Sequence, residues 1–187
     1  MAERADPRLP GFQEGRIYRE KLFERYEFCN AFIEDKVVLD IPCGVGWGTS
    51  LLKGAKEIHA VDIDNESIGY GKQEYPGITF KVGDMSKIPY GNYTFDVIIC
   101  LEGYEHIDQQ TQLKFINEAR RVLIPNGIII LTTPILENGK STNNKYHIHE
   151  PSFEEAQDTL TQNFIEVHLE VFKGPDSKEI RFIGKNR

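Results

Sequence analysis

Residues 36–49, KVVLDIPCGVGWGT, join a short apolar run to a turn that is rich in glycine. The run KVVLDI (36–41) has the length and the branched residues of a buried strand, and Gly44, Gly46 and Gly48 follow it in a loop. Glycines in such a loop let the backbone approach a ligand closely. This stretch therefore predicts a buried strand that leads into a ligand-binding turn.

Strands and helices alternate in the residues that follow. The further apolar runs that predict strands lie at 57–63, 77–84, 94–101 and 127–133. Continuous apolar strands linked by helices are typical of a parallel sheet that is covered on both faces. The sequence therefore predicts an α/β protein with a doubly wound sheet.

Helix boundaries are marked by capping and breaking residues. Asp64 or Asn65 caps the helix after the second predicted strand. Another helix is predicted from about Asp108 to the breaker Pro125-Asn126-Gly127. The predicted apolar face of that helix consists of Leu113, Ile116, Ala119 and Leu123.

The two ends of the chain extend this pattern. Helices are predicted at 17–34, where the apolar spacing is amphipathic, and at about 152–162. The segments NFIEVHLEVF (163–172) and KEIRFIG (178–184) come last, with a short turn between them. Strands joined by a short turn pair antiparallel. We therefore expect about seven strands, mostly parallel, with one antiparallel strand in the edge region.

Composition restricts the class of protein. The 187 residues include 29 acidic and 22 basic ones, which give a net charge of -7. This length suits a single domain, 1–187, and the acidic balance disfavours a nucleic-acid partner. The widely spaced Cys29, Cys43 and Cys100 favour a reducing compartment over a disulfide framework. The chain has no apolar run of membrane-spanning length and no start resembling a signal peptide, so we expect a cytoplasmic protein without a membrane partner.

Acidic residues stand where the predicted strands end. Asp40, Asp62 and Asp84 close the first three strands, and Glu102 follows the fourth. Because parallel strands present their carboxyl ends at one edge, these side chains are expected to share a ligand site. Asp62 is placed to accept hydrogen bonds from a ribose diol, and Asp84 from an adenine amine. The spacing G-x-G-x-G, with Thr49 where a dinucleotide loop has its third glycine, indicates an adenosine ligand without phosphates.

Four segments together resemble a known family. They are VLDIPCGVGWGTSLL (38–52), HAVDIDNESI (59–68), VGDMSKIPYGNYTFDVIICLEGYEHI (82–107) and EARRVLIPNGIIILTTP (118–134). In this order and spacing they are similar to the class I S-adenosylmethionine-dependent methyltransferases. The resemblance implies a Rossmann-like methyltransferase fold with seven strands. It also implies S-adenosyl-L-methionine as the cofactor and S-adenosyl-L-homocysteine as the product.

The resemblance assigns residues to parts of the cofactor. Those expected to bind it are Asp40, Cys43, Gly44 and Gly46 beside the methionine, Asp62 and Ile63 at the ribose, Asp84 and Met85 at the adenine, and Leu101 and Glu102 on the wall after the fourth strand. Residues 1–35 resemble an element that folds over the cofactor, from which Arg25 or Tyr26 would reach the methionine carboxylate. Residues 136–153 resemble a segment that contributes to the acceptor pocket of small-molecule and sugar methyltransferases. The chain departs from the family at Pro42, where glycine is usual, and proline lacks an amide donor.

Histidine is the expected catalytic side chain. A hydroxyl or a protonated amine must lose a proton when it accepts a methyl group, and histidine suits that task near neutral pH. His106, just past the fourth strand, is the first candidate base, and His149 and His147 follow. The group His147-x-His149-Glu150 has no further ligands placed by the sequence to complete a site, so no metal is expected.

Three functions fit these observations. The leading one is methyl transfer to an oxygen or nitrogen of a small molecule, with a sugar or glycan precursor as one candidate class. The alternative is a non-catalytic domain that binds S-adenosylmethionine and regulates or supports a partner. A nicotinamide-dependent oxidoreductase is the third, and Thr49 in the glycine loop counts against it. The sequence leaves the acceptor and the oligomeric state open.

Overall fold

The computed structural model describes residues 6, 8, 16–137, 139–142, 144–173 and 178–187. The strands are β1 (Val37–Asp40), β2 (Glu57–Asp62), β3 (Thr79–Val82), β4 (Phe95–Leu101), β5 (Leu123–Ile135), β6 (Ile165–Lys173) and β7 (Lys178–Lys185). The α-helices are α1 (Arg16–Cys29), α2 (Asn65–Glu74), α3 (Gln109–Val122) and α4 (Phe153–Asn163). Most of the predicted lead-in before α1, and the turn between β6 and β7, lie outside the described residues.

Within the described ranges, seven strands form one sheet in the order β3-β2-β1-β4-β5-β7-β6. Neighbouring strands from β3 to β5 run parallel, whereas β7 is antiparallel to both β5 and β6. The strand order reverses between β1 and β4, where ligands bind in sheets of this kind. The predicted doubly wound sheet is confirmed, and its antiparallel strand lies next to the edge strand.

The central strands are buried on both faces. In β4, Ile98 and Cys100 belong to the apolar cluster that contains Phe115 of α3. The alternate residue Val97 belongs to a second cluster, which contains Leu22 of α1. Because successive side chains of a strand point to opposite faces, a strand covered on both sides must be apolar throughout.

The helices α2, α3 and α4 begin beside the residues that were predicted to start them. The carboxylate of Asp64 accepts a hydrogen bond from the Ser67 N–H at 2.7 Å and starts α2. Asp108 does the same for the Thr111 N–H at 2.9 Å and starts α3. Ser152 caps α4. These caps satisfy backbone N–H groups that have no partner inside the helix.

The predicted end of α3 at Pro125-Asn126-Gly127 is wrong. The helix ends at Val122, because Leu123 already pairs with Phe95 of β4. The breaker residues lie inside β5, where the pairing register shifts and Asn126 has a φ of 64°. Strand pairing therefore overrides the local helix pattern at this boundary.

The predicted apolar faces are partly correct. Leu113 is 49% exposed, and the buried face of α3 consists of Gln112, Phe115, Ile116, Ala119 and Val122. The helix predicted at 17–34 ends at Cys29, and a short 3₁₀ turn at Asn30–Phe32 follows it. The position of the covering sheet decides which side of a helix is buried, and helical spacing alone does not specify that position.

The three cysteines are buried and carry free thiols. None of the helices in the described part of the chain combines the length and the apolar character that a bilayer crossing requires.

Candidate functional site

A cavity of about 600 Å³ opens at the carboxyl ends of the central strands. The predicted cofactor residues in its lining are Arg25, Cys43, Gly44, Asp62, Ile63, Asp84, Met85, Leu101 and Glu102. Two further predicted residues, Asp40 and Gly46, lie behind the wall. The candidate base His106 also lines this cavity. Residues that are far apart in the sequence therefore meet at one site, as the parallel sheet requires.

Asp40 is fully buried behind the cavity wall. Its Oδ2 accepts hydrogen bonds from the hydroxyls of Tyr26, at 3.0 Å, and Thr49, at 2.5 Å. No described residue donates to its other oxygen. Burial raises the pKa of Asp40 to about 7, although the two hydroxyl hydrogen bonds oppose that rise. Asp40 thus fastens α1 and the glycine turn to the end of β1.

The three glycines of the turn have different surroundings. Gly44 has a φ of 56°, and a Cβ placed there would meet nothing within 4 Å. A Cβ on Gly46 would lie 2.5 Å from the Phe80 ring, and one on Gly48 would lie 2.1 Å from the Tyr26 ring. Gly46 and Gly48 therefore allow the turn to pack closely against its neighbours. Gly44 leaves an open stretch of backbone at the cavity.

Pro42, where the chain departs from the family pattern, contacts the loop that follows β4. A Cβ on Gly103 would lie 2.3 Å from the Pro42 ring, so the ring occupies the space that a side chain at 103 would need. Both residues line the cavity. The loops after β1 and β4 therefore close this part of the wall together.

Asp62 connects the end of β2 to the glycine turn. Its Oδ2 accepts a hydrogen bond from the Gly44 N–H at 2.8 Å, and its Oδ1 accepts one from the Asp64 N–H at 2.9 Å. Each carboxylate oxygen keeps a further lone pair for donors in the cavity. The next residue, Ile63, lines the cavity with 69% of its surface exposed. A carboxylate beside an open apolar surface suits a ribose diol and the flat face of a base.

The end of β3 adds a second carboxylate beside an apolar side chain. Asp84 is exposed, and its Oδ1 accepts a hydrogen bond from the Ser86 N–H at 2.7 Å. Met85 is buried, and both residues line the cavity. Asp84 can therefore accept a hydrogen bond from an exocyclic amine, and Met85 adds apolar surface beside it.

The opposite wall holds a buried ion cluster. Arg25 of α1 is 4% exposed, and its guanidinium donates a hydrogen bond to Glu179 of β7. The same nitrogen lies 3.4 Å from Glu102 Oε2, while Glu102 Oε1 accepts a hydrogen bond from the Thr132 hydroxyl at 2.7 Å. Burial raises the pKa of Glu102, and the positive charge of Arg25 opposes that rise. A cofactor carboxylate at Arg25 would therefore share the guanidinium with two carboxylates of the chain.

A second polar group continues along this wall beyond Glu102. Glu105 is 1% exposed; its Oε2 accepts a hydrogen bond from the Thr133 hydroxyl at 3.1 Å, and its Oε1 lies 3.9 Å from His106 Nε2. The rings of His106 and His147 are 5.1 Å apart. Burial raises the pKa of the Glu105 carboxyl well above its usual range, and the nearby charge of Glu102 raises it further.

The two histidines of the predicted His-x-His group have different neighbours. His147 lines the cavity, and its Nδ1 lies 2.5 Å from Glu150 Oε1. His149 is not among the described lining residues, and its Nε2 lies 2.9 Å from Glu155 Oε1. The structure thus brings His147 to His106, whereas the His149 ring contacts Glu155 of α4.

Two functional candidates were absent from the sequence prediction. Glu179 is the second residue of β7, and Glu105 lies in the 3₁₀ turn Tyr104–His106. Glu179 meets its partner Arg25 across 154 residues of chain. An acidic residue beside a predicted buried strand is the one local signal for either, because a carboxylate is rarely buried without a partner.

Comparison with known proteins agrees with this geometry. A family model described as a methyltransferase domain matches residues 39–131, about half of the chain. A probable S-adenosylmethionine-dependent methyltransferase of Mycolicibacterium smegmatis is 29% identical over 92% of the chain and 69% of that protein. The Pyrococcus horikoshii protein PH0226 superimposes with a TM-score of 0.76 at 20% identity, over 91% of each chain.

Two further relatives are named for their reactions. The malonyl-[acyl-carrier protein] O-methyltransferase of Halalkalibacterium halodurans is 30% identical over 54% of this chain and 40% of its own length. The norajmaline N-methyltransferase of Rauvolfia serpentina is 32% identical over 51% of this chain and 35% of its own length. The chain therefore spans less than half of these two relatives.

Proposed function

This chain belongs to the class I S-adenosylmethionine-dependent methyltransferases, and from that premise we propose that it transfers a methyl group to an oxygen or nitrogen of a small molecule. The observation that carries the proposal is the cavity at the strand ends, where carboxylates, an open glycine backbone and apolar surface alternate. Relatives named for an O-methyl and an N-methyl transfer support both kinds of acceptor atom. The names of these relatives give no support to a sugar acceptor, which is therefore not part of the proposal.

The residues present fit S-adenosylmethionine. Gly44 leaves room for close approach of a ligand, and Asp62 retains acceptor capacity after its two backbone hydrogen bonds. Ile63 exposes apolar surface beside Asp62, and Asp84 offers an acceptor above the buried Met85. We assign the ribose to Asp62 and the adenine to Asp84 with Ile63 and Met85.

The methionine part is assigned to the wall made by Cys43, Gly44, Leu101 and Glu102, with Arg25 above it. Asp40 and Gly46 act from behind this wall, through the hydrogen bonds of Asp40 and the packing of Gly46 on Phe80. The cofactor supplies a methyl group on a positively charged sulfur, so alignment of the acceptor is the main task of the protein.

The charge of the cavity constrains the acceptor. Its described lining contains six carboxylates, from Asp62, Asp84, Glu102, Glu105, Asp108 and Glu179, and Arg25 as its one lysine or arginine side chain. Such a lining attracts the cationic cofactor and repels anionic molecules. A neutral hydroxyl compound or an amine is therefore the acceptor class that we propose.

The acceptor would enter beside His106. Its Nδ1 is 3.0 Å from the Tyr146 carbonyl oxygen, which can only accept, so the neutral ring carries its proton on Nδ1 and its lone pair on Nε2. His106 Nε2 is therefore the atom that we propose to accept the proton of the methyl acceptor. We keep His149 as a weaker candidate, since it is bonded to Glu155 outside the described lining.

The segment from 136 to 153 is proposed to build the acceptor side. Among its described residues, Thr142, Asn144, His147 and Ile148 line the cavity. Ile148 is 66% exposed, and its backbone N–H donates to the Glu105 carbonyl at 2.8 Å. Lead-in residues from Arg16 onward cover the other side through Leu22 and Arg25.

The decisive experiment has two stages. Calorimetric titration with S-adenosylhomocysteine is expected to show micromolar binding, and the same titration with NAD is expected to show none. A radiolabelled methyl-transfer screen over metabolite pools, with mass measurement of the product, then identifies the acceptor. Binding of NAD alone would contradict the cofactor assignment. Tight binding of S-adenosylhomocysteine with no methylated product would favour a non-catalytic binding domain.

A further inference from the structure

Three potential metal ligands meet on the acceptor side of the cavity. Glu105 and His106 come from the turn after β4, and His147 comes from the segment after β5. One ligand atom from each lies within 4.8 Å of the other two, a spread that a single ion can bridge with small rotations of the side chains. All three residues line the cavity.

Hydrogen bonds outside the cluster hold both imidazole rings. His106 Nδ1 lies 3.0 Å from the Tyr146 carbonyl oxygen. His147 Nδ1 lies 2.5 Å from Glu150 Oε1 and 3.0 Å from the Thr142 hydroxyl. A metal-binding histidine usually donates its other ring N–H to a carbonyl or a carboxylate, which fixes the ring and its tautomer. Both histidines have this arrangement.

The carboxylate of the cluster is held in the same way. Glu105 Oε2 accepts a hydrogen bond from the Thr133 hydroxyl at 3.1 Å, and Oε1 faces His106 Nε2 at 3.9 Å. That distance is too long for a hydrogen bond, and a small rotation of either side chain would bring the two atoms to the separation of about 3.3 Å that two ligands of a tetrahedral ion have. Glu105 is 1% exposed and Glu102 is its neighbour along the wall, so an ion bound here would lie beside two acidic side chains.

We propose that Glu105, His106 and His147 bind one divalent transition-metal ion at the cavity wall. Two imidazoles and a carboxylate form a ligand set that suits Zn²⁺ and related ions, and three protein ligands leave positions open toward the cavity. The sequence predicts no metal, because the local pattern groups His147 with His149 and places no further ligand beside them. The fold instead combines His147 with a glutamate and a histidine about 40 residues earlier in the chain.

The role of the ion, but not its binding, rests on the proposed function. A hydroxyl acceptor that reached an open position on the ion would be oriented, and its pKa would fall. In the metal-bound state His106 is a ligand and not a base, and the acceptor hydroxyl, with its lowered pKa, would lose its proton to solvent.

The test uses the whole chain after treatment with a chelator. Calorimetric titration with ZnCl₂, and separately with MnCl₂, is expected to show one site per chain for at least one of the ions. His147→Ala and His106→Asn are expected to weaken binding by at least tenfold. The asparagine amide keeps a donor toward the Tyr146 carbonyl but removes the ring nitrogen that faces Glu105.

Matched controls are available in two other histidines. His149→Ala lies in the same segment, and His168→Ala removes an exposed histidine on β6 that lies 3.3 Å from Glu170. Both are expected to bind metal as the original chain does. Titration of every variant with S-adenosylhomocysteine reports whether the variant has folded.

The outcomes separate the two proposals. Loss of metal binding in the cluster variants, with cofactor binding retained, supports the site. A chain that binds S-adenosylhomocysteine but neither ion overturns the metal site and leaves the proposed function standing. Equal metal affinity in the His106, His147 and His168 variants would place the ion elsewhere and also overturn it.

Discussion

The two halves of the cavity are held together in different ways. The cofactor half, which contains Gly44, Asp62 and Asp84, is fixed by backbone N–H groups that donate to carboxylates 2 to 18 residues away. The acceptor half, which contains Glu105 and Glu179 and shares Glu102 with the proposed methionine end of the cofactor, is fixed by side chains that meet across 28 to 154 residues. Local geometry defines the first half, and the assembled fold defines the second.

This difference determines which changes each half tolerates. The cofactor half depends on close approach, so added volume should damage it. The acceptor half depends on buried charges that neutralise one another, so removal of one partner should damage it. Four substitutions test this contrast, and they are described from the largest expected effect to the smallest.

Arg25→Ala is expected to lower the free energy of unfolding by about 3–5 kcal/mol, because it leaves Glu179 and Glu102 buried without their cation. Urea denaturation measures the loss. The control is Lys53→Ala, which breaks an exposed pair with Glu27 at 3.6 Å and should cost less than about 1 kcal/mol. If both variants lost the same free energy of unfolding, the buried ion cluster would not be what stabilises the acceptor half.

Asp62→Ala is expected to weaken the binding of S-adenosylhomocysteine about 100-fold, because the ribose loses a charged acceptor and the Gly44 N–H loses its partner. Titration calorimetry gives the ratio. Asp158→Ala, an exposed acidic residue on α4, provides the comparison and should bind as the original chain does. If Asp62→Ala binds within threefold of the original chain, the cofactor half has been placed wrongly.

Asp40→Asn is expected to flatten the pH dependence of stability. The folded-state pKa of Asp40 is about 7, above its unfolded value of about 3.9, so the folded state holds an extra proton between these values. Raising the pH from 5 to 7 removes that proton in a buried site and costs about 2 kcal/mol, while asparagine avoids this loss. Denaturation at each pH gives the free energy of unfolding of the original chain and of Asp40→Asn, and the difference between the two is followed as the pH rises. A constant difference would mean that Asp40 does not titrate in this range.

Gly48→Ala is expected to lower stability by roughly 1–2 kcal/mol, because its Cβ would overlap the Tyr26 ring and displace the Tyr26 hydroxyl from Asp40. Gly69→Ala is the matched control, since a Cβ there meets nothing within 4 Å. As Gly69 lies inside α2, alanine should stabilise the protein by up to about 1 kcal/mol. Thermal unfolding of both variants compares them, and a loss at both positions would argue against a steric role for Gly48.

The same contrast explains what the sequence could predict. The strands, their mostly parallel pairing and the meeting of Gly44, Asp62 and Asp84 at one cavity follow from apolar runs, a glycine turn and acidic strand ends, all of which are local patterns. The helix boundary at Val122 escaped prediction, because Leu123 pairs with Phe95 across the sheet. The exposure of Leu113 has a similar origin, since the sheet covers a different side of α3.

The contacts inside the acceptor half escaped prediction for the same physical reason. His147 and His149 have the same side-chain chemistry, but only His147 is among the residues that line the cavity. The path of the segment after β5 decides which of the two reaches it. Glu179 has no local pattern that connects it with Arg25, because the contact exists only after β7 has been inserted beside β5. A motif specifies residues that are close in the chain, and such long-range pairs lie outside its reach.

Because the Pro42 ring fills the space beside Gly103, these two positions, which are distant in the sequence, are expected to vary together in evolution. Among homologous sequences, a residue with a side chain at 103 should occur together with loss of the proline ring at 42. The family's usual glycine at 42 would free that volume. A library that randomises position 103 alone will therefore sample mostly incompatible pairs, whereas one that varies both positions together can redraw this part of the cavity wall.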